Sequence, residues 1–299
     1  MYYIKPITVT DAVLASSSIS EPASGETAWA SGADYAVGAV VIRATTHKKY
    51  ECTLKNPDKT IAPENDPDHW LDIGPTNRWA MFDSKTTTQS SKSGSIVVTL
   101  TPPAIASKLA MVRVQGASAM LEVIVDSVVV STQTVDLVDV GSSDWWEYFY
   151  LPYSYSETVI FGAIPTYRTC QLRVTVAAES GGTAKIGSLV FGAGIDIGDT
   201  LYGARVGIKD YSTKETDAFG ETVIVQRDYS DRMTLDVAVP TRRVEYVRND
   251  LASMRATPTI FVGEENQRAT VTFGTFESFE IIIGSPAISD CSLTIEGLT

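Results

Sequence analysis

Apolar and polar residues alternate along much of the chain. In 171–176 Leu172, Val174 and Val176 fall on one face and Gln171, Arg173 and Thr175 on the other, and Met233, Leu235, Val237 and Val239 repeat the pattern over 233–239. Successive strand side chains point to opposite faces, so this period of two marks sheets with one buried and one wet side. Antiparallel sheets have that character. Similar runs predict strands at Ser95–Leu100, 111–115, 121–125, 186–191, 222–226, 269–273, 279–283 and 293–296. Turn formers punctuate them at Lys92-Ser93-Gly94, Pro102-Pro103, Ser180-Gly181-Gly182 and Gly284-Ser285-Pro286. Many short strands with frequent turns predict a mainly all-β fold, built of antiparallel β-sandwich or jelly-roll domains.

One segment breaks the pattern. Over 242–255 Val244, Val247, Leu251 and Met254 recur every three or four residues, between Pro240 and Pro258, and predict an α-helix. A shorter helix is expected after Thr10, where Asp11 suits a helix N-terminus. The Ser/Ala/Pro-rich tract 15–27 reads as a linker or extended arm. Four parts follow: an N-terminal arm and linker (1–28), a small aromatic module (29–74), a β-sandwich domain (75–199) and a second β-rich domain carrying the helix (200–299).

The module reads as a three-stranded unit. Gly38 marks a tight turn before a strand over 39–43, which pairs with 47–54, and a Pro-rich loop through Pro57 and Pro63 returns to Trp70. A unit this small has little apolar surface to bury, so large rings must supply its core. The spacing Trp29 … Tyr35-x-x-Gly38-x-x-Val41 … Tyr50-x-Cys52 … Pro63 … Trp70 resembles small carbohydrate-binding modules of the chitin-binding type. The resemblance implies exposed rings that stack on sugars, at Trp29, Tyr35, Tyr50 and Trp70. The alternative is that the same rings simply hold the module together.

Directly downstream, Asn77-Arg78-Trp79-Ala80-Met81-Phe82-Asp83 opens the β-sandwich, and Ser289-Asp290-Cys291-Ser292-Leu293-Thr294-Ile295-Glu296-Gly297-Leu298 closes the chain's last strand. Both stretches resemble tail-tip or baseplate-associated proteins of long-tailed bacteriophages. That resemblance implies a structural virion component, made in the host bacterial cytoplasm and assembled in the tail with other tail proteins and copies of itself, with host-surface glycan as a further partner. For Arg78, Trp79 and Asp83 themselves the plainer reading is an Arg–Asp pair flanking a buried Trp at a domain boundary.

Charge and composition narrow the chemistry. Lys and Arg total 24 against 36 Asp and Glu, a formal net charge of −12, which repels phosphate backbones and argues against nucleic acid as a partner. The longest apolar stretch, 121–130, is broken by Glu122 and Asp126 and is too short to insert in a membrane. No basic and apolar leader opens the chain, and the widely spaced Cys52, Cys170 and Cys291 read as buried reduced thiols. With His47 and His69 as the two histidines, no nucleophilic triad, zinc-ligand spacing or phosphate-binding glycine loop emerges, so no metal, cofactor or catalytic residue is expected. Neighbouring carboxylates (Asp196 with Asp199, Glu264 with Glu265, Asp144 with Glu147) keep open a carbohydrate-active enzyme or accessory protein as the alternative to a structural protein. Two apolar groups suggest docking surfaces instead: Tyr2, Tyr3 and Ile4 at the end of the arm, and Trp145 and Trp146 in the aromatic run 145–150.

Overall fold

The computed structural model describes residues 1–55, 58–85, 87–139, 145–150, 154–216, 220–265 and 267–298. Two antiparallel sheets form the body. A ten-stranded sheet runs from Thr158–Phe161 through Lys108–Val112, Ser188–Asp196, Tyr2–Pro6, Thr259–Val262, Val271–Ile282 and Ile288–Gly297 to Tyr229–Pro240. On the far side of Tyr229–Pro240, Asp199–Thr200 pairs one end and Arg205–Asp210 the other. A five-stranded sheet follows the order Val128–Asp136, Ser118–Val125, Gln171–Ala177, Ser95–Leu100, Leu14–Ser17.

The expected β-sandwich forms where these sheets face each other. Leu109, Met111, Leu189 and Phe191 from the larger sheet meet Ile96, Val98, Leu121, Val123, Leu172, Val174 and Val176 from the smaller in one buried cluster. Farther along the larger sheet, the helix Val244–Ser253 replaces the second sheet as the covering layer. Val247 and Leu251, with Met254 just beyond, pack on Tyr3, Leu235, Val237, Phe261, Cys291 and Leu293. The helix thus lies within the predicted 242–255, and a 3-10 turn over Thr241–Arg243 leads into it.

The N-terminus departs from the expected arm. Tyr2–Pro6 lies in the interior of the large sheet, with Tyr2 opposite both Asp196 and Val262. Leu14–Ser17 pairs with Ser95–Leu100 in the small sheet, and Val13, Leu14, Ile19 and Ala23 are buried in the sandwich core. The short helix expected after Thr10 is a hydrogen-bonded turn closed by the Val13 and Leu14 amides on the Thr10 carbonyl. The separation expected near 199 is bridged as well: the large sheet is continuous across it through Tyr2–Pro6, while the sandwich core and the helix-covered core remain distinct clusters.

Two strand readings were changed by local geometry. The run 186–191 is split at Gly187, so Thr183–Ile186 pairs with Ser90–Ser93 and Ser188–Asp196 joins the large sheet. The chain passes so close to Arg113 that a Cβ at Gly187 would lie 2.9 Å from the Val112 carbonyl oxygen. Conversely, 269–273 and 279–283 belong to one strand, Val271–Ile282, whose register shifts between Phe276 and Ser278. The bulge resets the alternation, so Phe276 and Phe279, three apart, pack edge-on at 5.7 Å.

Candidate functional site

The aromatic module is the three-stranded sheet Val40–Arg43, Lys48–Cys52, Trp70–Pro75. Gly38 takes a positive φ of 85° at the turn before it, where a side chain would be strained, and its amide donates to the Cys52 carbonyl at 2.7 Å. Val41, Tyr50, Cys52 and Trp70 form the core, with Trp29, Tyr35 and Ala39 packed around it. Tyr50 and Trp70 are 5% and 4% exposed. The expectation that these two rings stack on sugars is therefore corrected: their faces are covered by the module itself, because so small a sheet has nothing else to bury.

Trp29 and Tyr35 are half-buried and equally engaged. Tyr35 meets Trp70 edge-on at 5.3 Å, and its hydroxyl accepts the Ala30 amide at 2.8 Å. The Arg43 guanidinium lies 4.8 Å above Trp29 and donates to both oxygens of Glu64. The recess among Trp29, Ala33, Tyr35, Lys59 and Trp70 holds about 10 Å³, room for one water and not for a sugar ring. In the loop that returns to Trp70, buried Asp66 is bonded to His69 Nδ1 at 2.7 Å. Pro57 lies outside the described residues.

The join between module and body is built by the tract that reads as a linker. The buried Glu21 carboxylate accepts hydrogen bonds from Thr76 Oγ1 at 2.7 Å and Trp79 Nε1 at 3.2 Å, and pairs with His47 Nδ1 at 3.0 Å. The His47 ring stacks on buried Trp79 at 4.0 Å, and its Nε2 reaches Asp11. Glu26 is held alongside. Burial would raise its carboxyl pKa, but the Ala23 and Asn77 amides and the Lys49 ammonium overcome this and hold it below its ordinary value. The expected Arg78–Asp83 pair is absent. Asp83 instead accepts from Thr88 Oγ1 and the Lys85 amide, whereas Arg78 Nε is buried without an acceptor among the described residues.

The sites expected to dock are distributed differently from the sequence reading. Tyr3 and Ile4 are 1% and 0% exposed inside the chain's own sheet, and Tyr2 is half-buried beneath the Lys108 ammonium, 4.5 Å from its ring. They are core residues, not a free apolar end, because Tyr2–Pro6 is paired on both edges. Trp145 and Trp146, by contrast, lie on a short helix, Trp145–Tyr150, and are 80% and 61% exposed. The rings form i,i+4 pairs, Trp145 with Phe149 and Trp146 with Tyr150.

A further surface was marked in the sequence only by the strand expected at 222–226, and its exposure on both faces was not. The strand Arg205–Asp210 is exposed at every position, as is the strand Thr222–Val225 of the hairpin it forms with Thr213–Thr216. Ile208 and Ile224 are 63% and 64% exposed. The candidate carboxylates are engaged in part, Asp196 with Arg243 and Glu265 with Lys108. Asp144 and the Glu147 side chain lie outside the described residues. No family model, curated protein or solved structure matches this chain, so its function is argued from these surfaces.

Proposed function

We propose that the chain is a non-catalytic structural subunit of a multimeric assembly, a tail-tip or baseplate component of a tailed bacteriophage that docks with other tail proteins and copies of itself and contacts host-surface glycan. The observation that carries this reading is the exposure of the strands Arg205–Asp210 and Thr222–Val225. A strand covered by its own chain has at least one buried face, but Arg205–Asp210 and Thr222–Val225 are open on both and display Val206, Ile208, Val223, Ile224 and Val225 to solvent. The inner end is fixed by Lys209 and the Tyr211 hydroxyl, both bonded to Glu296. An anchored apolar projection of this kind is suited to insertion between subunits, where a neighbour covers it. The virion context comes from the resemblance of 77–83 and 289–298.

The test is mass spectrometry of purified particles, with lysine cross-linking. The expected result is the chain at one end of the particle, with cross-links from exposed Lys214 to a second subunit. Particles that lack the chain, in a host that expresses it, would sink the proposal.

A further inference from the structure

Between the module and the body lies a cleft of about 710 Å³. The module contributes the turn Thr45 to Lys48 and the strand end Asp72 to Pro75, and the body contributes Val9 to Asp11 and the stretch from Trp79 to Lys85. We propose that this cleft is a binding site for a neutral oligosaccharide. The inference rests on the glycan part of the reading above, and it moves that contact from the module's buried rings to the joint.

Position and size come first. Ligand sites concentrate at junctions between separately cored units, and this volume falls in the roughly 300–1,000 Å³ typical of them. Its walls are fixed beforehand. His47 is held by Glu21 and Asp11 and stacked on Trp79, and Trp79 meets Phe82 edge-on at 5.9 Å. A wall set by its own contacts need not be ordered when a ligand arrives, which lowers the cost of binding.

The lining chemistry then selects the ligand. Both signs of charge are present, and Lys48 and Asp72 neutralise one another at 2.6 Å, so the cleft offers no strong field to a phosphate-rich or polycationic ligand. The same lining holds the half-buried Phe82 ring and the polar residues Thr10, Thr45, Thr46, Ser84, Asp11, Asp83 and Lys85. Donors and acceptors in one lining with an apolar ring match a molecule with hydroxyl edges and C–H faces. Burial raises the Asp83 carboxyl, against the bonds from Thr88 and the Lys85 amide and the nearby charge of Lys85. A carboxyl already drawn out of water gives up little further hydration on accepting a sugar hydroxyl, and such a bond is charge-assisted when the group is ionised.

The experiment is calorimetric titration of the full chain with tetra-N-acetylchitotetraose, cellotetraose and maltotetraose, with inorganic phosphate as the charged comparison. Saturable binding of at least one oligosaccharide is expected. Asp83→Asn and Lys85→Ala should each weaken it roughly tenfold, the loss of one hydrogen bond to a charged group, while Trp29→Ala leaves it unchanged. Lys85 is exposed, so its variant stays folded and informative even if Asp83→Asn does not. No saturable binding by any of the three sugars, preferential binding of phosphate, or binding lost in Trp29→Ala and kept in both cleft variants would each overturn the site. Failure here is separable from failure of the virion reading, because particle composition is measured independently of sugar binding.

Discussion

Glu21 is a buried carboxylate that engages three partners from two parts of the molecule. Thr76 Oγ1 and Trp79 Nε1 donate to it and His47 Nδ1 pairs with it, so the carboxylate joins the tract after the second strand to both module and body. Removing it leaves those polar atoms buried and unpaired, and Glu21→Ala should cost about 3 kcal/mol. Urea unfolding would show this as a lower midpoint at an unchanged slope. The thiols make a second residue-scale case. Burial raises all three, Cys291 furthest, to about 11. A raised thiol pKa means the fold favours the protonated form. Its contribution is fully present below the ordinary value of 9.0 and is lost as pH rises toward 11. Stability measured across that window should fall less steeply in Cys291→Ala than in the parent. Alkylation at pH 8 should modify the partly exposed Cys170 before the buried Cys52 and Cys291.

At the scale of elements, the strand Tyr2–Pro6 is a keystone of the large sheet. It links Ser188–Asp196 to Thr259–Val262, and so joins the sandwich half to the helix-covered half. Ile4→Ala should destabilise the chain by about 2–5 kcal/mol, the range for truncating a fully buried aliphatic side chain. Gly192→Ala tests the same pairing differently, because a Cβ there would lie 1.9 Å from the Lys5 carbonyl oxygen. The edge of that pairing would have to open, and thermal unfolding should report a loss at least as large as that of Ile4→Ala. Periodicity read many elements well: Ser95–Leu100, Gln171–Ala177, Tyr229–Pro240 and the helix Val244–Ser253 each bury the face their sequence marks. It missed Tyr2–Pro6 and Thr259–Val262, which lie inside the sheet and bury residues on both faces, so no alternation distinguishes them.

For the whole molecule, the proposed function makes the exposed strands Arg205–Asp210 and Thr222–Val225 a place where folding and assembly can be told apart. Ile208→Asp and Ile224→Asp alter exposed positions that touch little of the core, so the isolated chain should keep its thermal stability to within about 0.5 kcal/mol. On the proposed function both should block incorporation into particles, read by comparing variant and parent in purified virions. Incorporation at the parent level would remove these strands from the docking surface.

Alternation, turn residues and one amphipathic stretch determined the all-β class, the helix and the three-stranded module, because each depends on side chains within a few residues of one another. The identities of the large rings were equally plain, but their orientation was not. Whether Tyr50 and Trp70 face sugar or core was decided by packing within the module's own three strands, and whether Tyr3 and Ile4 reach a neighbour or their own sheet by strands paired across the full chain, such as Tyr2 with Asp196 and Val262. The joint around Glu21 and His47 likewise exists only in three dimensions: Asp11, Glu21, His47 and Trp79 belong to four separate stretches, and their chemistry arises from contact rather than from spacing.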